Sequence, residues 1–264
     1  MANLRIAHLS DIHFGMVNLA ALEGANEWLE LHKPDLSVIT GDLTAAGTMP
    51  EFVSAAAWVQ SLPTPKVVVP GNHDTPYLGL WERLTAPFAR FAHTLGQPDN
   101  LSWADGAVSV AGVNTARGAQ IRANWSKGAI SAQQYRGALS HLGSREIGSL
   151  GIVALHHPLV DMIGGPMTAR VRGGEAAARA FCGGAVDLIL SGHIHVPFAM
   201  AIPYGDCLTY AIGASTLSTR ERGVPAGFNL IEVDEKMIKV TALAWIGGRM
   251  EPWRDWDFSR RRTG

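Results

Sequence analysis

Six short apolar runs, each stopping at a polar turn, constrain this chain more than any other feature. They span 4–9, 36–40, 66–69, 107–113, 151–155 and 186–190, and they read as buried strands. Helix-like stretches at 19–32, 50–61, 78–95, 131–142 and 174–183 lie between them. In the third stretch Leu80, Leu84, Phe88 and Phe91 keep helical spacing, interrupted by Pro87, and Ser131 is the expected N-cap of the fourth. Strands alternating with helices make an α/β layered domain. After residue 196 strand runs near 207–213, 227–233 and 237–246 are expected to form a second, more antiparallel sheet that closes the fold. Residues 1–250 read as one domain, and 251–264 as an appended tail carrying Trp253, Trp256 and Arg260 to Arg262.

Composition narrows the partners. Apolar residues make up 47% of the 264 residues and charged ones 17%, a globular profile. A formal charge of −1 offers no broad attraction for nucleic acid or an anionic membrane, so small-molecule substrates lead. No apolar run reaches the roughly 18 to 20 residues that span a bilayer. The start of the chain has no secretory pattern, so a cytoplasmic location is expected. Cys182 and Cys207 are too few for a disulfide framework and are expected to be ordinary thiols. Trp253 and Trp256 suit either a homo-oligomer contact or a tail lying on its own domain.

Of ten histidines, six fall in four short segments. Five polar motifs follow strand candidates: Ser10-Asp11-Ile12-His13, Gly41-Asp42, Gly71-Asn72-His73-Asp74, His156-His157-Pro158 and Gly192-His193-Ile194-His195. Ligands bind at the carboxyl ends of strands in open α/β sheets, so the five segments converge on one rim. Asp11 and His13, like His193 and His195, are two residues apart, and in extended backbone each pair points one way. Carboxylate, imidazole and amide oxygen without thiolate suit Mn, Fe, Zn or Co rather than a structural zinc cage. Seven candidate ligands exceed what one ion needs if it keeps a position open, so two ions are expected, with Asp42 as the bridging carboxylate. Such a pair can share a nucleophilic hydroxide and clamp the oxygens of an in-line displacement at phosphorus.

In this order the motifs resemble those of the calcineurin-like metallophosphoesterases, and they stretch from residue 11 to residue 195. The resemblance implies a four-layer α/β sandwich, two central mixed β-sheets flanked by helices, with the metal pair at the strand ends. It puts Asp11, His13, Asp42 and His195 on one ion, and Asp42, Asn72, His156 and His193 on the other. His73 would stand beside the metals, stabilising the transition state and protonating the leaving alkoxide. Within the family, protein Ser/Thr phosphatases carry Asp-Arg-Gly after the Gly-Asp motif and an Arg before Gly-Asn-His. Here Leu43-Thr44-Ala45-Ala46-Gly47 follows Asp42, and Val69-Pro70 precedes Gly71. Ala45 stands where purple acid phosphatases have Tyr, and His73 where lipid A precursor hydrolases tend to have Arg. What remains resembles the bacterial cyclic-nucleotide and glycerophosphodiester phosphodiesterases, which share Val-Pro-Gly-Asn-His-Asp.

Weaker candidates complete the reading. Asp74 either orients His73 or caps the turn at Thr75-Pro76. His157 is expected to support the site rather than ligate. His8 reads as a packed strand residue, and His32, His93 and His141 as surface residues. Arg170 and Arg172 in a Gly-rich stretch, with Asn114 and Arg117, are candidates for substrate contact. No tryptophan is assigned to substrate stacking. The expected reaction is metal-dependent phosphodiester hydrolysis, with a phosphomonoesterase, a nuclease or a catalytically silent metal-binding scaffold as alternatives.

Overall fold

The computed structural model describes residues 4–63, 65–98, 101–121, 124–161, 171–204 and 208–260. In the first of two sheets β1 (Leu4–Leu9), β2 (Leu36–Thr40) and β3 (Lys66–Val69) run parallel. The second sheet is built on β5 (Val108–Val113), β6 (Leu150–Leu155) and β7 (Leu188–Ser191), also parallel, with β4 (Ser102–Ala104) antiparallel on its edge. Between the sheets lies a core that includes Ile6, Val38 and Val69 from one and Val110, Ile152 and Leu190 from the other. Outside the first sheet pack α1 (Leu19–His32) and α2 (Met49–Ser61), and outside the second α5 (Ala132–Gly143) and α6 (Gly174–Cys182), each over its own core. The result is the four-layer α/β sandwich expected from sequence. Thr48 with Glu51, and Ser131 with Gln134, close capping boxes at the starts of α2 and α5.

Several expectations change. The stretch 78–95 is two short helices, α3 (Leu80–Thr85) and α4 (Ala89–Leu95), because Pro87 disfavours helical backbone at Ala86. The late strands do not make a separate sheet. The open edge of β1 takes β10 (Gly227–Val233) antiparallel, and β11 (Met237–Ile246) extends the same sheet. The strands β8 (Phe198–Ala201) and β9 (Tyr210–Gly213) instead complete the second sheet, β9 lying parallel to β7.

Residues 251–259, set apart from sequence as a tail, form most of β12 (Arg249–Ser259), the outer strand of the first sheet. Trp256 pairs with Val240 and Phe258 with Ile238, and both rings pack on the inter-sheet core. The Phe258 ring stacks on Tyr210 with centroids 4.3 Å apart. A register shift leaves Trp253 unpaired between Pro252 and Arg254, a bulge that accommodates the proline on an edge strand. The tail therefore lies on its own domain. Cys182 is disulfide-bonded, not the thiol expected, because chain folding rather than spacing decides which sulfurs meet; Cys207 lies outside the described residues. Disulfides persist in oxidising surroundings, so this bond lends no support to the expected cytoplasmic location. Among the described residues no helix is long and apolar enough to cross a membrane.

Candidate metal centre

The five motifs meet just beyond the carboxyl ends of β1, β2, β3, β6 and β7. Burial is nearly complete: Asp11, His13 and His156 are 0% exposed, and His193, the most open of the group, is 8%. The local backbone differs from the extended form expected for the two-residue spacings. Asp11, His13, Asp42, His193 and His195 all have positive φ, from 50° to 70°. Non-glycine residues visit that region at a cost of about 1–3 kcal/mol each, and such strain persists where the surroundings over-determine it. β1, β2 and β7 thus end in left-handed steps that turn their polar side chains onto the rim.

Two glycines make the close approach possible. A Cβ on Gly71 would lie 2.2 Å from Asp42 Oδ1, and one on Gly192 would lie 1.8 Å from Ser10 Oγ. The backbone N–H groups beside them hold the carboxylates: His73 N–H donates to Asp42 Oδ1 at 2.8 Å, and His193 N–H to Asp11 Oδ2 at 2.9 Å. The other oxygens face the site. Asp11 Oδ1 is buried without a hydrogen-bond partner.

Backbone carbonyls orient the imidazoles in the same way. The Nδ1 atoms of His13, His156 and His195 lie 3.1, 2.7 and 2.8 Å from the carbonyl oxygens of Thr44, Thr40 and Arg220. An Nδ1–H donated to a carbonyl leaves Nε2 as the ligating atom. His195 Nε2 is 3.0 Å from Asp11 Oδ1 and 3.4 Å from His13 Nε2. Asp42 Oδ2 is 3.8 Å from His13 Nε2 and 3.3 Å from His156 Nε2, so one carboxylate reaches both halves of the cluster. The Asn72 amide tip is 3.2 Å from His156 Nε2 and 3.1 Å from His193 Nδ1, and its oxygen is turned toward them. Toward the bare nitrogens of His156 and His193 the amide nitrogen would be the better neighbour, so the oxygen there suits a cation between them, and the same oxygen accepts from His157 Nε2–H at 3.1 Å. Donor atoms bound about 2.0–2.2 Å from one ion lie about 3–3.6 Å apart, which these separations match except the 3.8 Å from Asp42 Oδ2 to His13 Nε2. The orphaned Asp11 oxygen, the Asn72 oxygen and the thiol-free donor set therefore fit borderline or hard divalent ions.

Burial works against charge throughout the cluster. It pushes His13 down to about 4 and His193 to about 3. Burial also opposes a charged His156, but Asp42, by charge and hydrogen bond, pushes it up to about 9. In return burial is outweighed at Asp42, whose carboxyl His156 and His73 hold well below the usual range.

His73 is placed beside the cluster. Its Nδ1 is 2.7 Å from the Ala45 carbonyl, and its Nε2 is 3.0 Å from Arg220 Nη1. Arg220 is a residue that sequence reasoning missed: it sits on the turn between β9 and β10, far from any motif, yet its carbonyl orients His195 and its guanidinium meets His73. Asp74 does neither of the things expected. Its Oδ1 accepts from Thr44 N–H at 2.9 Å and its Oδ2 from Gly71 N–H at 2.9 Å, lacing the Gly-Asp and Gly-Asn-His-Asp loops together. Burial and the charge of Asp42 push the Asp74 carboxyl up to about 6 despite those bonds.

His157 is buried against His193, with ring centroids 4.6 Å apart. Its Nε2 is 2.8 Å from the Ser126 carbonyl, which can only accept, so Nε2 carries a proton there, and Nδ1 is 2.9 Å from Thr115 Oγ1. The substrate candidates separate from the cluster. Arg117 donates to Gln134 Oε1 at 2.8 Å, which turns it toward α5, and the Asn114 side chain accepts from Ala116 N–H at 3.0 Å. Arg172 is exposed, and Arg170 lies outside the described residues. His8 is buried in β1 and lies 3.0 Å from Thr40 Oγ1.

Comparison with known proteins supplies a second line. The family model for calcineurin-like phosphoesterases matches residues 4–197. A probable cyclic nucleotide phosphodiesterase of Synechococcus sp. is 26% identical, over 92% of this chain and 92% of its own length. A dimetal phosphatase from Danio rerio superposes with a TM-score of 0.70 at 11% identity, covering 98% of this chain and 99% of that one. A purple acid phosphatase from yellow lupin (Lupinus luteus) superposes with a TM-score of 0.71 at 13% identity, over 98% of this chain and 54% of that one. At such identities the two structures show the shared fold.

Proposed function

The chain belongs to the calcineurin-like phosphoesterases and is a metal-dependent phosphoesterase, and on that premise we propose that it hydrolyses small-molecule phosphodiesters at a two-ion centre. Asp11, His13, Asp42 and His195 hold one ion, and Asp42, Asn72, His156 and His193 the other. Mn, Fe, Zn and Co all suit these donors. Bound there, the ions supply Lewis-acid charge and a water nucleophile at neutral pH. The remaining work falls to protein groups. Ala45 accepts from His73 Nδ1–H and Arg220 Nη1 donates to Nε2, so Nε2 stabilises developing charge and protonates the leaving alkoxide only after it has itself taken a proton, from the attacking water, and parted from Arg220. Arg220 steadies that imidazole and sets a guanidinium at the same edge. His157 has a ring nitrogen within 4.8 Å of those of His156 and His193, but with Nε2–H shared between the Ser126 carbonyl and Asn72 Oδ1 it supports the site rather than holding an ion.

The observation that carries the diester reading is the match along nearly the full length of both chains to the probable cyclic nucleotide phosphodiesterase. Charge supports it. A monoester dianion favours several fixed cations, whereas a diester carries one negative charge. Among the described residues Arg220 meets His73, Arg83 lines the recess beside it with its Nε given to the Gly118 carbonyl, and Arg117 is turned to Gln134. With Mn supplied, kcat/KM for bis(4-nitrophenyl) phosphate is expected to equal or exceed that for 4-nitrophenyl phosphate on one metal-quantified preparation. A strong monoester preference would overturn the diester assignment and cast Arg220 as the extra cation.

A further inference from the structure

Next to Asn72 and His73 opens a recess of about 370 Å³ whose walls are Tyr77, Leu80, Arg83 and Trp125. That size lies at the low end for sites that enclose small molecules. The walls are open to solvent where a ligand would meet them: Tyr77 is 68% exposed and Leu80 59%. Trp125 is half-buried, and its segment is anchored at the next residue, where the Ser126 carbonyl accepts from His157 Nε2 at 2.8 Å. One residue further, Gln120 Nε2 donates to the Lys127 carbonyl at 2.6 Å. The backbone beside the indole is thus tied to His157 at the metal cluster. Arg83 is equally fixed, with Nε donating to the Gly118 carbonyl at 2.8 Å and its guanidinium carbon 5.6 Å from the centroid of the Trp125 ring.

We propose that this recess is the subsite for the organic arm of the diester and that it takes a neutral, planar heteroaromatic group, a nucleobase, stacked on Trp125 and Tyr77. The proposal rests on the phosphodiesterase reading and narrows it. Aromatic faces beside a phosphate site bind bases through stacking, which is worth about 1–3 kcal/mol per base and works for any base. Arg83 decides the charge. An ammonium or choline head entering the recess meets the Arg83 guanidinium in its wall and is repelled, whereas a neutral base presents ring acceptors to its N–H groups. Cationic glycerophosphodiesters are therefore poor occupants of this recess, and nucleotides good ones.

The test uses manganese-loaded full-length protein and calorimetric titration with AMP, the product of cyclic AMP hydrolysis, and with inorganic phosphate. Trp125→Leu is expected to lower the ratio of AMP to phosphate affinity by roughly 5- to 150-fold, the stacking range expressed as a ratio. Trp125→Phe should recover most of it, and Tyr77→Ala, at an exposed position, should shift the ratio the same way. Unchanged ratios in Trp125→Leu and Tyr77→Ala proteins that keep their metal and circular dichroism would overturn the subsite. In kinetics, kcat/KM for cyclic AMP should exceed that for glycerophosphocholine; the reverse order would overturn the subsite and leave the diesterase reading intact. Hydrolysis of neither diester, with AMP affinity still dependent on Trp125, would defeat the diesterase reading and leave the subsite standing.

Discussion

Asp42→Ala is expected to empty both metal positions at once. Asp42 Oδ2 is 3.3 Å from His156 Nε2 and 3.8 Å from His13 Nε2, so its loss removes a donor from each half of the cluster. The same carboxylate accepts from His73 N–H at 2.8 Å, and its removal frees the loop that carries Asn72. Changing residues that merely orient a metal ligand typically costs 10- to 100-fold in metal affinity or activity, and a shared ligand should exceed about 100-fold. Elemental analysis under equal metal supply should find fewer than one ion per chain. Asp42→Asn, which keeps an acceptor for His73 N–H but loses the charge, should fall between. Two ions per chain in Asp42→Ala protein would remove the bridging role.

His73→Ala should do the opposite, keeping both ions while losing about 10²–10⁴ in rate, the range for one acid/base or charge-stabilising group. The His73 ring touches the cluster only edge-on, 4.9 Å from the His13 centroid. Its nitrogens are occupied by Ala45 and Arg220. Among the described residues, the groups of ligand atoms lying within 4.8 Å of one another leave His73 out. Metal content should therefore match the wild type in the same elemental assay while steady-state turnover falls. Collapse of metal content would make His73 a ligand and overturn the assignment of its whole segment.

The parts of this site legible in sequence were those whose chemistry is local. Asp11, His13, Asp42, Asn72, His156, His193 and His195 each follow a short apolar run, and the end of a buried strand is where a polar side chain is turned toward a ligand. The positive φ angles of Asp11, His13, Asp42, His193 and His195 were not legible, because aspartate and histidine, though enriched in left-handed backbone, adopt it at only a small fraction of their positions. Nor was Arg220, since an arginine on a turn has no spacing that ties it to a histidine 147 positions earlier. Nor was the use of Arg117 and Asn114 in local structure, where Arg117 donates to Gln134 of α5 and Asn114 Oδ1 accepts from Ala116 N–H. Trp125 and Tyr77 carry no periodicity, and tertiary structure alone brings them to His73. The strand Arg249–Ser259 was obscured by Pro252 and its charged outer face, although Trp256 and Phe258 alternate inward.

The central claim is a two-ion centre that the reaction requires. The most direct measurement titrates Mn into chelator-stripped wild-type protein, following bound metal by elemental analysis and bis(4-nitrophenyl) phosphate hydrolysis in the same samples. Saturation at two ions per chain is expected, with activity rising as the second ion binds. Full activity at one ion per chain, or undiminished activity in the stripped protein, would contradict it.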